Sequence, residues 1–363
     1  MVADYADLFV RWGQLHLKNN MLEEIIMKKI NLVLFAVILF TGCTHQIKRD
    51  NLSLWNDTAL AKQALINYVQ TVTDKKSSDF IPAENRIAVF DLDGTLILET
   101  DPTYFDWALF EHRVLDDSTY KPTKEQLTAA KNSREKGIFP SLNNNREKMV
   151  SQAYQGLSVQ EFYDFVRAFM QEDQPGFEGM KRGDIFYKPM LEVVEYLVKN
   201  KFTVYICSGT DRLTVRPLIE ANMPYIPNHQ ILGSDSTIVA SRQGNKDGLE
   251  YIFEKSDKLV LGGENLVKNL QMNKVSLIEM EIGKQPVLAF GNTFSDASMV
   301  NYTIYNNKYK ALGFMLECDD LEREYGNLKK AQKIHEGCEK YGWIFISMRD
   351  DWKTIYGDNI KRR

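Results

Sequence analysis

Short runs of apolar β-formers that end in Gly, Ser, Thr or Asp recur from residue 87 onward, separated by stretches in which apolar residues return at helical spacing. Ile87–Phe90 runs into Asp91-Leu92-Asp93-Gly94-Thr95-Leu96, and Phe202–Cys207 is broken by Ser208-Gly209-Thr210. Ile231–Ala240 predicts a short pair of strands, and Leu259–Leu261 a brief one that meets Gly262-Gly263. Pro286–Phe290 ends in Gly291-Asn292, while Ala311–Leu316 and Trp343–Ile346 flank a helix at about 320–340. Helical periodicity marks Trp55–Val72, Met190–Lys199, Asp211–Glu220 and Lys274–Ile282. Strands alternating with helices predict an α/β fold, a Rossmann-like, doubly wound parallel sheet.

Between Leu96 and about Tyr187 the pattern changes. Phe105, Trp107, Leu109, Phe110, Val114 and Leu115 predict one helix, and Ser158-x-x-Glu161 is a capping box opening another, with Phe162, Phe165, Val166 and Phe169 inward. Asn132–Arg146 is polar, with Asn143-Asn144-Asn145 as a loop-like centre. Residues 97–187 therefore predict a mainly helical insertion, with 43–96 (tether, first helix, first strand) before it and the rest of the core, 188–363, after it. The aromatic cluster Tyr104, Phe105, Trp107 and Phe110 serves either core packing or a pocket wall, and packing is the expectation.

The N-terminus carries an address. Met27-Lys28-Lys29 precedes an apolar run, Ile30–Phe40, and then Thr41-Gly42-Cys43. About eleven apolar positions are too few for a spanning helix, which needs roughly twenty. The pattern resembles a bacterial lipoprotein signal over 27–42, which implies cleavage before Cys43, a lipid on its thiol, and export to a membrane facing the periplasm or exterior. Glu23 and Glu24 would spoil the charge asymmetry of such a signal, so residues 1–26 read as a mis-annotated upstream extension and Met27 as the start.

Composition narrows the function classes. With 44% hydrophobic and 26% charged residues in 363, the chain is an ordinary globular one, and its net charge of −4 offers no footprint for nucleic acid. The five histidines are scattered and no Cys/His cluster has zinc spacing, which argues against a His-based or zinc centre. Cys207 is a buried small hydrophobe by context, and export permits a Cys318–Cys338 disulfide without establishing one.

The polar strand ends carry the chemistry. In a parallel sheet Asp91/Asp93, Ser208-Gly209-Thr210 and Gly291-Asn292-x-x-x-Asp296 share the carboxyl edge and can converge. A carboxylate can attack phosphorus, hydroxyls and backbone N–H groups suit phosphate oxygens, and a divalent cation held by carboxylates offsets the charge between two anions. Among Lys268, Lys274 and Lys284 as candidate cations, Lys274 is favoured because its helix starts near that edge; Lys284 falls at the opposite one.

These motifs, in this order, resemble the haloacid dehalogenase superfamily, above all its phosphoserine-phosphatase-like branch with a helical cap between the first two motifs. The resemblance implies an enzyme, a Mg²⁺-dependent phosphatase acting on a small phosphomonoester. It makes Asp91 the nucleophile, Asp93 the acid and base, and Lys274 the stabilising cation. Ser208, Gly209 and Thr210 would bind phosphate, and Asp91, the Asp93 carbonyl and Asp296 would hold the metal. Asn292 stands where the family often has Asp, which leaves it to orient a ligand or metal-bound water and makes Asp296 the necessary carboxylate. Glu99 and Arg212 are candidate substrate contacts, each with a bland alternative as a hinge or surface charge. Transfer to an acceptor other than water, or a binding lipoprotein on the same fold, stay open, as do the substrate and the oligomeric state.

Overall fold

The computed structural model describes residues 52–100 and 103–363, so the signal run, Cys43 and the upstream segment lie outside the described residues. No helix among the described residues is long and apolar enough to cross a membrane. The elements are α1 (Leu60–Thr73), β1 (Ile87–Phe90), α2 (Phe105–Leu115), α3 (Lys124–Lys136), α4 (Asn144–Gln152), α5 (Val159–Met170) and β2 (Phe177–Glu178). They continue with α6 (Lys188–Lys199), β3 (Thr203–Asp211), α7 (Arg212–Asn222), β4 (Ile231–Ala240), β5 (Leu259–Val267) and α8 (Met272–Ile282). The chain then forms β6 (Leu288–Gly291), α9 (Ala297–Ile304), β7 (Leu312–Glu317), α10 (Leu328–Tyr341), β8 (Ile344–Ser347), α11 (Met348–Asp351) and β9 (Lys361–Arg362).

Seven strands form one sheet in the order β5-β4-β3-β1-β6-β7-β8. All neighbours are parallel except β4 and β5, which run antiparallel. The expected doubly wound α/β architecture is therefore present. Strand β1 lies between β3 and β6, with Ala88 level with Val204 and Leu288. Every residue of β1 and β6 is buried, as strands covered on both faces require. Alternation then sorts the two layers. Phe90, Phe290 and Phe314 stack across three adjacent strands at centroid distances of 4.3 and 4.8 Å, while Val89, Ala289 and Met315 pack on the other face.

Residues between Leu98 and Ile185 leave the sheet and return to it side by side. Ile97 and Phe186 form an antiparallel bridge, Leu98 N–H donates to the Ile185 carbonyl (2.9 Å), and Tyr187 N–H to that of Leu96 (2.9 Å). Ser158 caps α5 in the anticipated capping box, with Phe162, Val166 and Phe169 buried. Phe105, Trp107 and Phe110 are core residues, whereas Tyr104 is partly exposed. The segment Gly156–Leu157 exchanges backbone hydrogen bonds of 2.9 Å with Leu261, which ties the helical block to β5.

Four local expectations need correction. Asn143 is not mid-loop: its side chain accepts from Arg146 N–H and starts α4, because Asn competes well as a helix cap. Ser208 does not end β3, which runs on to Asp211 through a break in register against β4 between Cys207 and Asp211. Ile231–Ala240 is a single strand whose first half pairs with β3 and second half with β5. Its polar middle reads as a turn in sequence, but Ser234 Oγ donates to the Gly209 carbonyl (2.6 Å) and Ser236 Oγ to Asp211. Finally, β5 continues past Gly262-Gly263, with Gly263 at φ +84° absorbing the irregularity. Cys207, Cys318 and Cys338 are all free thiols, so the permitted Cys318–Cys338 bridge is not formed.

Candidate active site

The carboxyl ends of β3, β1 and β6 sit side by side, so the polar residues that follow them meet over one edge. Asp91 continues β1: its N–H donates to the Phe290 carbonyl at 2.9 Å, which fixes its backbone. The chain then folds tightly, with Gly94 N–H bonded to the Ile97 carbonyl at 2.7 Å and Gly94 at φ +78°. A side chain at Gly94 would meet Asn292 Nδ2 at 1.8 Å, so the turn and the β6 loop can approach this closely only with glycine there.

Lys274 projects from the first turn of α8 and is fully buried. Its Nζ donates to Asp91 Oδ1 (2.5 Å) and Asp296 Oδ1 (2.7 Å). The helix start is held in place by Gln271, whose φ of +52° is left-handed and whose N–H donates to the Ser295 carbonyl at 2.9 Å. Lys268 instead lies by Glu147 (3.0 Å) and Asp106 (3.9 Å) on the helical block. Lys284 reaches the Glu84 carbonyl before β1, at the other end of the sheet. Of the three lysines, geometry brings Lys274 to the acids.

The hydroxyls in the last part of β3 are turned toward Asp93. Thr210 Oγ1 donates to Asp93 Oδ2 at 2.8 Å and Ser208 Oγ does so at 3.4 Å, while Ser208 Oγ also accepts from Thr210 N–H. Asn269, fully buried, donates to the Ser208 carbonyl (3.0 Å) and pins this irregular stretch. Thr210 and Gly209 line the open cavity; Ser208 is buried beneath it.

Electrostatics follow from burial. Removal from water, then the charge of Asp296, raise Asp91 to about 7, against the opposing pull of Lys274. Burial, then the charges of Asp106 and Asp91, raise Asp93 to about 8, with the Thr210 hydroxyl opposing. Burial disfavours the Lys274 ammonium, but Asp296 and Asp91 outweigh it, so its pKa is raised. Burial thus favours the protonated form of both acids, while Lys274 favours the ionised form of Asp91.

Above these groups is a cavity of about 360 Å³ that also touches Glu99, Tyr104, Arg146 and Lys268. Glu99 accepts from Tyr104 Oη (3.2 Å) and is ion-paired with Lys330 of α10. Arg212 does not reach the cavity: it is bound by Asp235 (2.8 Å) and Glu281 (2.9 Å), which corrects the expectation that it contacts substrate. Asp106, Arg146 and Lys330 were not among the residues read from sequence. Each stands alone in a helix without a motif, and only the fold brings Asp106 and Arg146 to the cavity and Lys330 to Glu99 at its rim.

The expected metal residues meet the following partners. Asp296 keeps Oδ1 on Lys274, and its Oδ2 accepts from the N–H groups of Asn292 and Thr293 and from the Thr293 hydroxyl. Both oxygens are engaged, so Asp296 anchors Lys274 and the β6 loop. Among the described residues no group of three or more His, Cys, Asp or Glu is placed to hold a metal ion. Oxygen donors remain nonetheless. The Asn292 amide is 3% exposed with neither Oδ1 nor Nδ2 hydrogen-bonded, and Asp91 Oδ2 accepts a long hydrogen bond (3.3 Å) from Thr95. An amide oxygen and a carboxylate oxygen suit a hard cation that keeps several of its waters, as Mg²⁺ does.

No curated protein sequence matches the chain. Among solved structures, similar ones include a conserved protein of unknown function from Anaerococcus prevotii (14% identity, 79% of this chain and 91% of that one, TM-score 0.48). Others are a phosphoserine phosphohydrolase-like protein from Francisella tularensis (17%, 64% and 87%, 0.35) and a phosphoserine phosphatase in its apo form (11%, 71% and 98%, 0.35). A family model described as haloacid dehalogenase-like hydrolase matches residues 88–300, from β1 through α9. That span holds Asp91, Asp93, Ser208, Lys274 and Asp296, and the chain belongs to the haloacid dehalogenase-like hydrolase family.

Proposed function

We propose that this hydrolase cleaves a small phosphomonoester through an aspartyl-phosphate. One observation carries the reading: Asp91, held by Lys274, and Asp93, held by Thr210, face the same cavity. Asp91 Oδ2 attacks phosphorus, an O–P bond forms, and the ester P–O bond breaks. Asp93 gives its proton to the departing alkoxide. The Asp93 carboxylate then takes a proton from water as the water oxygen bonds to phosphorus, and the bond to Asp91 breaks to release inorganic phosphate. Lys274 neutralises charge on Asp91 and fixes its oxygen throughout. The Asp91 carboxylate, Asp296, the Asn292 amide and the Asp93 main-chain carbonyl would hold Mg²⁺, which when bound supplies charge neutralisation between nucleophile and phosphate.

The test is Asp91→Asn in the purified chain, assayed on para-nitrophenyl phosphate with and without Mg²⁺. Turnover should vanish with the fold intact by circular dichroism; unchanged turnover overturns the assignment. We also propose export and lipid attachment at Cys43, for which a hydrophobic mass increment on the Cys43 N-terminal peptide, lost in Cys43→Ser, is the expected observation.

A further inference from the structure

A second cavity, of about 250 Å³, lies beyond the first and shares Glu99, Tyr104 and Thr293 with it. Its far wall comes from the segment between β7 and α10 and from α10 itself: Cys318, Glu324, Tyr325, Asn327 and Lys330. All five lie past residue 300, outside the span matched by the family model. This wall therefore belongs to the C-terminal part of this chain, and it stands on the ligand edge of the sheet because β7 is parallel to β6.

What divides the two chambers is a contact, not a backbone wall. Glu99 is gripped by Lys330 on one side and by the Tyr104 hydroxyl on the other. Side chains in that position can swing aside for a leaving group too long for the first chamber.

The chemistry of the second chamber selects its occupant. Among the described residues its one cation, Lys330, is matched by Glu99, while Glu324 is satisfied by hydrogen bonds from Tyr325 N–H (2.6 Å) and the Tyr356 hydroxyl. An anionic group entering there meets no unmatched cation and loses its hydration. Tyr104, Tyr187 and Tyr325 offer aromatic surface, and Asn327, Thr100 and Lys330 offer hydrogen-bonding groups. A volume of this size, with apolar walls and a few polar groups, fits a single ring with polar substituents. We infer that the second chamber receives the distal part of the leaving group, and that this part is an uncharged, hydroxyl-bearing ring of hexose size. The inference rests on the phosphomonoesterase reading for the direction in which the substrate lies.

Cys318 supplies a probe, since it is partly exposed in this chamber while Cys207 and Cys338 are buried. The full chain is treated with N-ethylmaleimide alone, with inorganic phosphate, and with glucose 6-phosphate, and labelling of each cysteine is followed by peptide mass spectrometry. Glucose 6-phosphate near saturation should slow Cys318 labelling by about fivefold or more, whereas inorganic phosphate should not. In Lys330→Gln the ratio of kcat/KM for glucose 6-phosphate to that for glycerol 2-phosphate should change by about tenfold or more, mainly through KM. Protection by phosphate equal to that by glucose 6-phosphate, or no protection by either, overturns the inference, and so does an unchanged ratio. If the wild-type chain with Mg²⁺ turns over neither ester, the phosphatase reading fails, and the Cys318 protection still decides whether a ring occupies the chamber.

Discussion

Replacing Lys274 by Met removes the one cation that contacts both Asp91 and Asp296. The site around it is closed: Lys274 is 0% exposed and Asp296 1%. The two contacts, 2.5 and 2.7 Å, leave no room for water to substitute when the ammonium is lost. Breaking a buried pair by deleting one partner costs about 3–5 kcal/mol, because the remaining charge stays buried and uncompensated. Here two carboxylates are left facing each other, so the upper half of that range is expected near pH 8. For a domain of this size such a loss lowers Tm by roughly 5–15 °C. The pH dependence has a definite sign. Asp91 already has a raised pKa, about 7, and losing Lys274 removes an influence that lowers it. A carboxyl with a raised folded-state pKa is most favourable when protonated, so stability is present at low pH and declines as pH climbs through the folded-state value. The variant should therefore approach wild type at pH 5 and diverge from it by pH 8. Urea unfolding followed by circular dichroism at both pH values, with chelator present so that no added cation takes the place of the lysine, measures this directly. Adding Asp296→Asn to Lys274→Met should restore about half of the loss by removing one of the two stranded charges. A difference from wild type below about 1 kcal/mol at pH 8, or one independent of pH, refutes the electrostatic account of this triad.

The remaining expectations are shorter. Asp93→Asn should lower kcat about 10²–10⁴-fold on an alkyl phosphate, and less on para-nitrophenyl phosphate, whose leaving group needs no proton; equal losses on both would remove Asp93 from the acid role. Asn292→Asp adds a carboxylate beside Asp91 and should tighten Mg²⁺ binding about tenfold or more by isothermal calorimetry, and unaltered affinity would take Asn292 out of the cation site. Burial raises Asp211, the N-cap of α7, to about 6. Wild-type stability should fall between pH 4 and 6 by about 1–2 kcal/mol, the ~3 kcal/mol implied by the shift being reduced by partial exposure, and Asp211→Asn should flatten that slope in denaturant titrations.

The sheet was readable because its central strands are buried on both faces and so appear as unbroken apolar runs, and because a parallel sheet sends every such run toward the same edge. Ile87–Phe90 and Leu288–Gly291 show this best, and both deliver the acids that follow them to one place. Lys274 could be preferred over Lys284 from helix direction alone. Strand ends were less readable where polar residues pair inside the fold. Ser208-Gly209-Thr210 and Ser234-Asp235-Ser236 resemble turns, yet tertiary hydrogen bonds from Asn269, Ser234 and Ser236 keep both stretches extended. Arg212 shows the converse. Its position after the phosphate motif suggests substrate, but Asp235 and Glu281, distant in sequence, draw it away. The Glu99–Lys330 pair spans most of the domain and leaves no periodic trace in either helix or loop.

The exchange of Asp for Asn at 292 becomes intelligible once Asp296 is placed. The loop after β6 closes on itself through Asp296, whose carboxylate accepts two backbone N–H groups and the Thr293 hydroxyl while gripping Lys274. That carboxylate holds, through Oδ1, the lysine that contacts Asp91. A second ionised acid at 292 would stand against Asp91 and Asp296 in a space with one lysine, and each added charge there would raise the pKa of its neighbours. An amide at 292 keeps an oxygen donor in the cavity that Asp91 lines without that repulsion, and its unbonded Oδ1 and Nδ2 are tolerable in a buried position only if something else satisfies them. The loop thus divides two tasks between two residues: Asp296 organises the lysine and the backbone, and Asn292 presents neutral polar atoms to whatever binds beside the nucleophile. In this arrangement the site is less self-repulsive, and on the proposed reading a cation there would be held more weakly than by a second carboxylate, so its occupancy would rise with free Mg²⁺ and with the charge a phosphate brings.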